Sequence, residues 1–123
     1  MSLTKAEEQL MEIIWKNKKV FLKEILESYP EPKPAGTTVI TLLKRMQNKG
    51  VVAYKLYGNS RQYYPLIKKE DYFAKHIDEM VKGFFGNSAL RFASFFTTTS
   101  DLSESELQEL KKIVEQEIKR KKS

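Results

Sequence analysis

Apolar side chains recur at helical spacing in six stretches of this chain, and two β-rich runs interrupt the series. Leu10, Ile13 and Ile14, with Trp15 beside them, mark the inner face of a first helix. Thr4-Lys5-Ala6-Glu7 opens it as a capping box, with Thr4 as N-cap and Glu7 at N3, and Asn17-Lys18-Lys19 ends it. Leu22, Ile25, Leu26 and Tyr29 fall at i, i+3, i+4 and i+7, which predicts a second helix from about Leu22 to Tyr29. Pro30-Glu31-Pro32-Lys33-Pro34 then blocks helix formation; it reads as a rigid spacer rather than a proline-rich recognition segment. Val39, Leu42, Leu43 and Met46 repeat the same spacing within Thr37–Gly50, and Gly50 supplies a left-handed stop. Val51–Leu56 and Arg61–Leu66 are β-rich, joined by the turn residues Tyr57-Gly58-Asn59-Ser60.

Beyond Ile67 the pattern is helical only. Phe73, Ile77, Met80, Val81 and Phe84 form one stripe, broken at Gly86-Asn87-Ser88. Ala89, Phe92, Ala93 and Phe96 mark a short apolar helix over Ala89–Phe96, followed by a polar loop over Thr97–Asp101. Ser103-Glu104-Ser105-Glu106 is a second capping box. It opens a last helix with Leu107, Leu110, Ile113, Val114 and Ile118 on one side and a Lys/Arg tail.

Two helices followed by helix, strand, tight turn and strand predict a winged helix-turn-helix. The expected fold is therefore mainly α with a small β-wing: a winged-helix DNA-binding domain over 1–67, then a three-helix dimerisation domain over 68–123. The last three helices are thin and amphipathic, and make a poor core by themselves. Packing against the same segment of a second chain solves this. The expected interface of the homodimer contains Phe73, Ile77, Met80, Phe84, Phe92, Phe96, Leu107, Leu110 and Val114. A twofold dimer carries two recognition helices and so meets two half-sites.

Charge sharpens the picture. The net charge is +6. Residues 1–66 hold 11 Lys/Arg against 6 Asp/Glu, whereas residues 67–123 hold 11 against 10. The excess lies with the third helix and the wing, and concentrated positive charge implies an anionic partner. The outer face of the third helix carries Thr37, Thr41, Lys44 and Asn48, with Thr38, Ile40 and Arg45 on its flanks, and no carboxylate. An ordinary solvated helix mixes both signs. Short hydroxyls, an amide and cations suit the major groove of double-stranded DNA. Arg45 is the best candidate for a phosphate or guanine contact. Ile40 fits either a thymine methyl or packing against the wing or second helix. Lys55 and Arg61 flank the wing tip and suit phosphates beside the minor groove, or are ordinary surface charge.

Other chemistry is weakly supported. There is no Cys, hence no disulfide or thiolate metal site. No run of about 18 apolar residues or secretory leader is present, so a cytoplasmic protein is expected. His76 is the only histidine and lacks partners for a metal or catalytic role; it reads as a surface or interface residue. Glu70-Asp71 and Asp78-Glu79 are adjacent pairs, which on a helix point about 100° apart and do not converge. Tyr72, Phe73, Phe84, Phe85, Phe92, Phe95 and Phe96 suit a dimer core better than a ligand cavity. No cofactor, metal or catalytic residue is expected. The alternatives to DNA binding are a winged helix used for protein–protein contact within a larger complex, and a small hydrolase, for which no nucleophile–base pair is visible.

The motifs also carry a resemblance. Leu3-Thr4, Ala6-Glu7 and Trp15 form an opening pattern. Thr38-Val39, Thr41, Leu43, Arg45 and Lys49-Gly50 form a recognition-helix pattern, with Met46 in place of Leu. Arg61, Tyr63-Tyr64 and Pro65-Leu66 match a wing strand, and Asp101-Leu102-Ser103 with Glu106-Leu107 match the start of a final helix. Over nearly its whole length the chain resembles the penicillinase-repressor family of bacterial winged-helix regulators, which includes β-lactamase, methicillin-resistance and copper-homeostasis repressors. The resemblance implies a homodimeric repressor on a dyad operator. In the antibiotic-resistance branch it also implies a membrane-bound sensor metalloprotease that cuts within the short fifth helix. That region here is Leu90–Thr97, centred on Phe92, Ala93, Ser94, Phe95 and Phe96. The Asn-Phe pair often found at the cut is absent, and the stretch from Asn87 to Asp101 is a few residues longer than the family's. The copper branch uses a cysteine-rich tail, so this chain, without Cys, is not expected to be a copper sensor of that type. Phe21 stands where the family usually caps its second helix with Ser or Thr.

Overall fold

Leu10, Met11 and Ile14 on α1 (Lys5–Asn17), Ile25 on α2 (Leu22–Ser28), and Val39, Leu43 and Met46 on α3 (Gly36–Asn48) are wholly buried together, and they decide how three helices pack. Val20 on β1 (Val20–Phe21), Val52 on β2 (Val52–Tyr57) and Tyr63 on β3 (Ser60–Pro65) close the core from a sheet of order β1-β3-β2, antiparallel throughout. This is a winged helix. The computed structural model describes residues 2–123, which divide into two compact units after His76. The remaining elements are α4 (Lys69–Phe84), α5 (Ala89–Thr99) and α6 (Glu104–Lys122).

The capping box of α1 forms as expected: the Glu7 N–H donates to Thr4 Oγ1 at 3.2 Å and the Thr4 N–H to Glu7 Oε1 at 2.8 Å. The helix stops at Lys18, whose φ of 67° is left-handed. The strand that follows is an addition to the expected architecture. β1 pairs Val20 with Tyr63 and Phe21 with Gln62, and two residues are too few to show an alternation. Phe21 is also the N-cap of α2. It has no side-chain oxygen to offer, so only the reciprocal half of a box exists, its N–H donating to Glu24 Oε1 at 2.9 Å. Its ring instead meets Tyr57 of the wing edge-on, centroids 6.0 Å apart.

α2 ends at Ser28, one residue before the expected Tyr29, which is extended and buried. The proline-rich segment does cap work: Lys33 Nζ donates to the carbonyls of Leu26, Glu27 and Tyr29 at 3.3, 2.9 and 3.1 Å. A cation there satisfies carbonyls left open at a helix C-terminus and complements its dipole. On α3 the expected stripe of Val39, Leu42, Leu43 and Met46 is the buried face, and Gly50 takes a φ of 76°. The hairpin runs in register from Val52 opposite Pro65 to Tyr57 opposite Ser60, and Gly58 turns it with a φ of 62°.

The first turns of α4 lie on α1. Trp15 Nε1 donates to the Ile67 carbonyl at 2.9 Å, and its ring packs against Tyr72 and Phe73 with centroids 5.8 and 6.1 Å away. Tyr72 is buried, and its hydroxyl donates to Glu8 Oε2 at 2.8 Å. Burial first, and the Glu8 hydrogen bond second, raise the pKa of that hydroxyl. Tyr72 thus belongs to the core of the first unit, which corrects its grouping with the more C-terminal aromatic residues.

In the second unit, Gly86 and Asn87 turn the chain with φ of 58° and 61°, and Ser88 caps α5 through the Arg91 N–H at 3.1 Å. Phe85 packs edge-on against Phe92, centroids 5.5 Å apart. α5 runs past Phe96 to Thr99, where a loop was expected. Thr97 Oγ1 donates to the Ala93 carbonyl at 2.9 Å and Thr98 Oγ1 to that of Ser94 at 2.8 Å, so these hydroxyls are spent on the preceding turn while the backbone stays helical. The capping box at Ser103 forms, with bonds of 3.0 and 3.1 Å. No residue of α5 or α6 is buried.

Replacing Trp15 by Phe would keep most of the ring packing but leave the Ile67 carbonyl without its donor. The expected cost is about 1–2 kcal/mol, read as a lower urea midpoint at unchanged slope. An unchanged midpoint would show that this bond does not hold α4 to α1.

Candidate nucleic-acid interface

α3 buries one face and leaves the other open, because its apolar residues all fall on one stripe. Thr37, Thr38, Thr41, Lys44, Arg45 and Asn48 are exposed. Ile40 is half-buried. Thr41 Oγ1 donates to the Thr37 carbonyl at 3.0 Å, so outward it offers a methyl group and lone pairs that accept. No acidic side chain stands in the first turn, and the helix sequence contains none further on.

The wing meets this face on one side only. In an antiparallel pair, residues directly opposite share a face. Arg61 lies opposite Leu56, on the face that carries Tyr54 and Tyr63, and Lys55 lies opposite Gln62 on the other. Arg61 lies with its guanidinium carbon 4.4 Å from the Tyr54 ring centroid, a cation–π contact. Arg61, Asn59, Ser60 and Tyr63 of the wing, Ile40 and Lys44 of α3, and Leu22 and Lys23 of α2 line a cleft of about 470 Å³. The structure therefore brings Arg61 and Lys44 together and sends Lys55 elsewhere. Lys23 joins the cleft unannounced by any motif. Tyr54, which seats Arg61, was equally silent in the sequence, since only the strand register shows the two on one face.

A second constellation sits at the far end of α3. Glu7 is wholly buried at the start of α1. Its Oε1 accepts from Lys49 Nζ at 2.6 Å as well as from the Thr4 N–H at 2.8 Å. Its Oε2 takes no hydrogen bond among the described residues, and Arg45 Nε lies 3.9 Å away. Burial by itself would raise the Glu7 pKa. The Lys49 hydrogen bond and the Thr4 backbone outweigh it and hold the carboxyl below its ordinary 4.5. Glu7 stands in the opening motif and Arg45 and Lys49 in the recognition-helix motif, and their meeting is the link those motifs did not announce.

The residues expected at an interface between chains lie open. Phe73, Ile77, Phe84, Phe96, Leu107 and Val114 are exposed, Phe84 by 83%, while Met80, Phe92 and Leu110 are half-buried. Ala93, Ser94 and Phe95 are exposed within α5, between half-buried Phe92 and exposed Phe96. Among the described residues no helix is long and apolar enough to cross a membrane. No group of three or more His, Cys, Asp or Glu among them is placed to hold a metal ion. His76 is exposed, its ring stacked on Tyr72 at 6.2 Å.

Residues 3–116 match the family described as penicillinase repressor. The chain belongs to the penicillinase repressor family. Among the relatives of this repressor family is the methicillin resistance regulatory protein MecI of Staphylococcus aureus (strain N315), 31% identical over 117 residues that cover 91% of this chain and 92% of that one. The penicillinase repressor of Bacillus licheniformis is 26% identical over 121 residues, 98% of this chain and 94% of its own. Among solved structures, that of the DNA-binding domain of the repressor BlaI aligns with a TM-score of 0.52 at 26% identity, over 58% of this chain and 88% of that domain. The family is one of repressors, not enzymes.

The lowered pKa of Glu7 makes a stability prediction. A carboxyl whose folded pKa lies below its unfolded value stabilises the fold fully above the unfolded pKa, and loses that contribution as pH falls through the folded one. Glu7→Gln should cost about 1–3 kcal/mol at pH 7. The difference from wild type should shrink as pH falls below 4.5. Thermal unfolding of both proteins between pH 7 and pH 3 checks this, and a gap that does not narrow would place the stabilisation elsewhere.

Proposed function

We propose that the protein is a sequence-specific DNA-binding transcriptional repressor that acts as a homodimer on a dyad operator, with residues 1–67 reading DNA and residues 68–123 holding the two chains together. The observation that carries the reading is the open, acid-free face of α3 beside Arg61 of the wing. A helix of this width fits the major groove. Thr37, Thr38, Thr41, Lys44, Arg45 and Asn48 then face base edges and phosphates, Ile40 lies at their border, and Arg61 and Lys55 reach the backbone from the two sides of the wing. Relatives named as resistance repressors, and a structure titled as a DNA-binding domain, support the same role.

The dimer is supported by the state of α5 and α6, none of whose residues is fully buried in a single chain. Leu107, Ile113, Val114 and Ile118 expose an apolar stripe along α6. Continuous apolar surface of this kind marks an interface. Cleavage within α5 by a membrane-bound sensor metalloprotease fits the same scheme, because it would sever α6 from the DNA-reading domain without touching α3.

Binding should fall steeply with salt. About 6 phosphate contacts per dimer give a log–log slope of about −5, measured by fluorescence anisotropy on a duplex selected from a random library. Half-sites should lie about one helical turn apart or a small multiple of it. Equal, salt-insensitive binding to any duplex would favour a winged helix devoted to protein contact.

Leu110→Asp would place a charge in the interface between chains, costing several kcal/mol. Sedimentation at micromolar concentration should show dimers for the wild type and monomers for the variant, and affinity for the full dyad should collapse with them. A compact wild-type monomer that binds the full dyad tightly would overturn the dimer.

A further inference from the structure

One oxygen of a buried carboxylate faces a guanidinium without bonding to it. Glu7 is wholly buried, and its Oε1 is occupied by Lys49 Nζ and the Thr4 N–H. Its Oε2 has no hydrogen-bond partner among the described residues. Arg45 Nε lies 3.9 Å from it, just beyond hydrogen-bond reach. Buried acceptors are nearly always bonded, and a carboxylate oxygen accepts readily from arginine. A small rotation of the Arg45 side chain, 54% of which is exposed, would complete the carboxylate.

We propose that Glu7 is a positioning residue for Arg45, an inference that rests on reading α3 as the helix that contacts DNA. When α3 lies on DNA, the Arg45 Nε–H closes onto Glu7 Oε2. The two terminal amino groups are then held in one plane and directed outward at a phosphate or a guanine edge, the fork geometry that such acceptors match. Rigidity supplied from behind lowers the entropy lost on binding. Lys49 has a different part. It neutralises Oε1 and ties the carboxylate to the end of α3, so that two cations one helical turn apart share one buried anion. The acid-free outer face of α3 thereby keeps its charge, while its arginine is oriented by an acid drawn from α1.

A duplex selected from a randomised library by the wild-type protein is the probe, and its scrambled version is the control. Glu7→Gln keeps the size of the side chain and an oxygen for Lys49 and Thr4. It should weaken binding to the selected duplex about tenfold and leave binding to the scrambled duplex almost unchanged. In an Arg45→Ala background the same replacement should have no further effect. Equal losses in both backgrounds would mean that Glu7 acts only through the fold, and would overturn the inference. If Glu7→Gln does not fold, the Arg45 Nε–H resonance of the nitrogen-15-labelled wild type decides. Slow solvent exchange that appears only on adding the selected duplex supports the inference, and fast exchange in the complex overturns it. A wild-type protein that enriches no sequence from the library removes the DNA reading itself, and the inference with it.

Discussion

The buried carboxylate of Glu7 is the joint on which the first unit turns. From N3 of α1 it accepts the Thr4 N–H and so starts the helix. The same oxygen accepts Lys49 Nζ, which ties the start of α1 to the end of α3. A carboxylate taken out of water is costly unless it is paired and bonded. That cost makes the joint selective, because other placements of α3 against α1 would leave the charge alone. The apolar core supplies most of the attraction between these helices, but it is non-directional. The ion pair adds direction, setting where along α1 the end of α3 must lie.

With α3 held at that end, the sheet controls the other side of its open face. β1 is only two residues long, yet through Val20 opposite Tyr63 it ties the hairpin to the α1–α2 connection. The register of β2 on β3 then sorts the wing's cations. Arg61 faces α3, seated on Tyr54, and Lys55 faces away. A slip of one residue in β3 would turn Arg61 to the face that carries Lys55. Gly58 at the turn and Pro65 opposite Val52 mark the two ends of that register.

The second unit is built on the opposite principle. Its helices are well formed locally, with Ser88 and Ser103 as caps and left-handed Gly86 and Asn87 as the turn. Its aromatic contacts are few and short-range, from Phe85 to Phe92 and Phe95. The first unit gains its stability from burial between distant segments, whereas the second is held mainly by local bonds. The apolar stripe of α6 lies open in the single chain.

The helices, the caps at Thr4 and Ser103 and the stop at Gly50, the hairpin and the acid-free face of α3 were legible in the amino-acid sequence, because each depends on residues within a few positions of one another. Periodicity selected Val39, Leu42, Leu43 and Met46, and spacing selected the boxes at Thr4 and Ser103. The end of α5 was misjudged for a local reason too: Thr97 and Thr98 look like loop residues until their hydroxyls are seen bonded to the turn before them. What only the tertiary structure decided is long-range. β1 exists because β3 offers it a partner, and Tyr72 is core because Trp15 lies beneath it. Arg61 and Lys55 part company because of strand register. Glu7 meets Lys49 across 42 positions of chain. Side-chain pattern reports which face of an element is apolar, but it carries no information on which distant charge will meet another once those faces have closed.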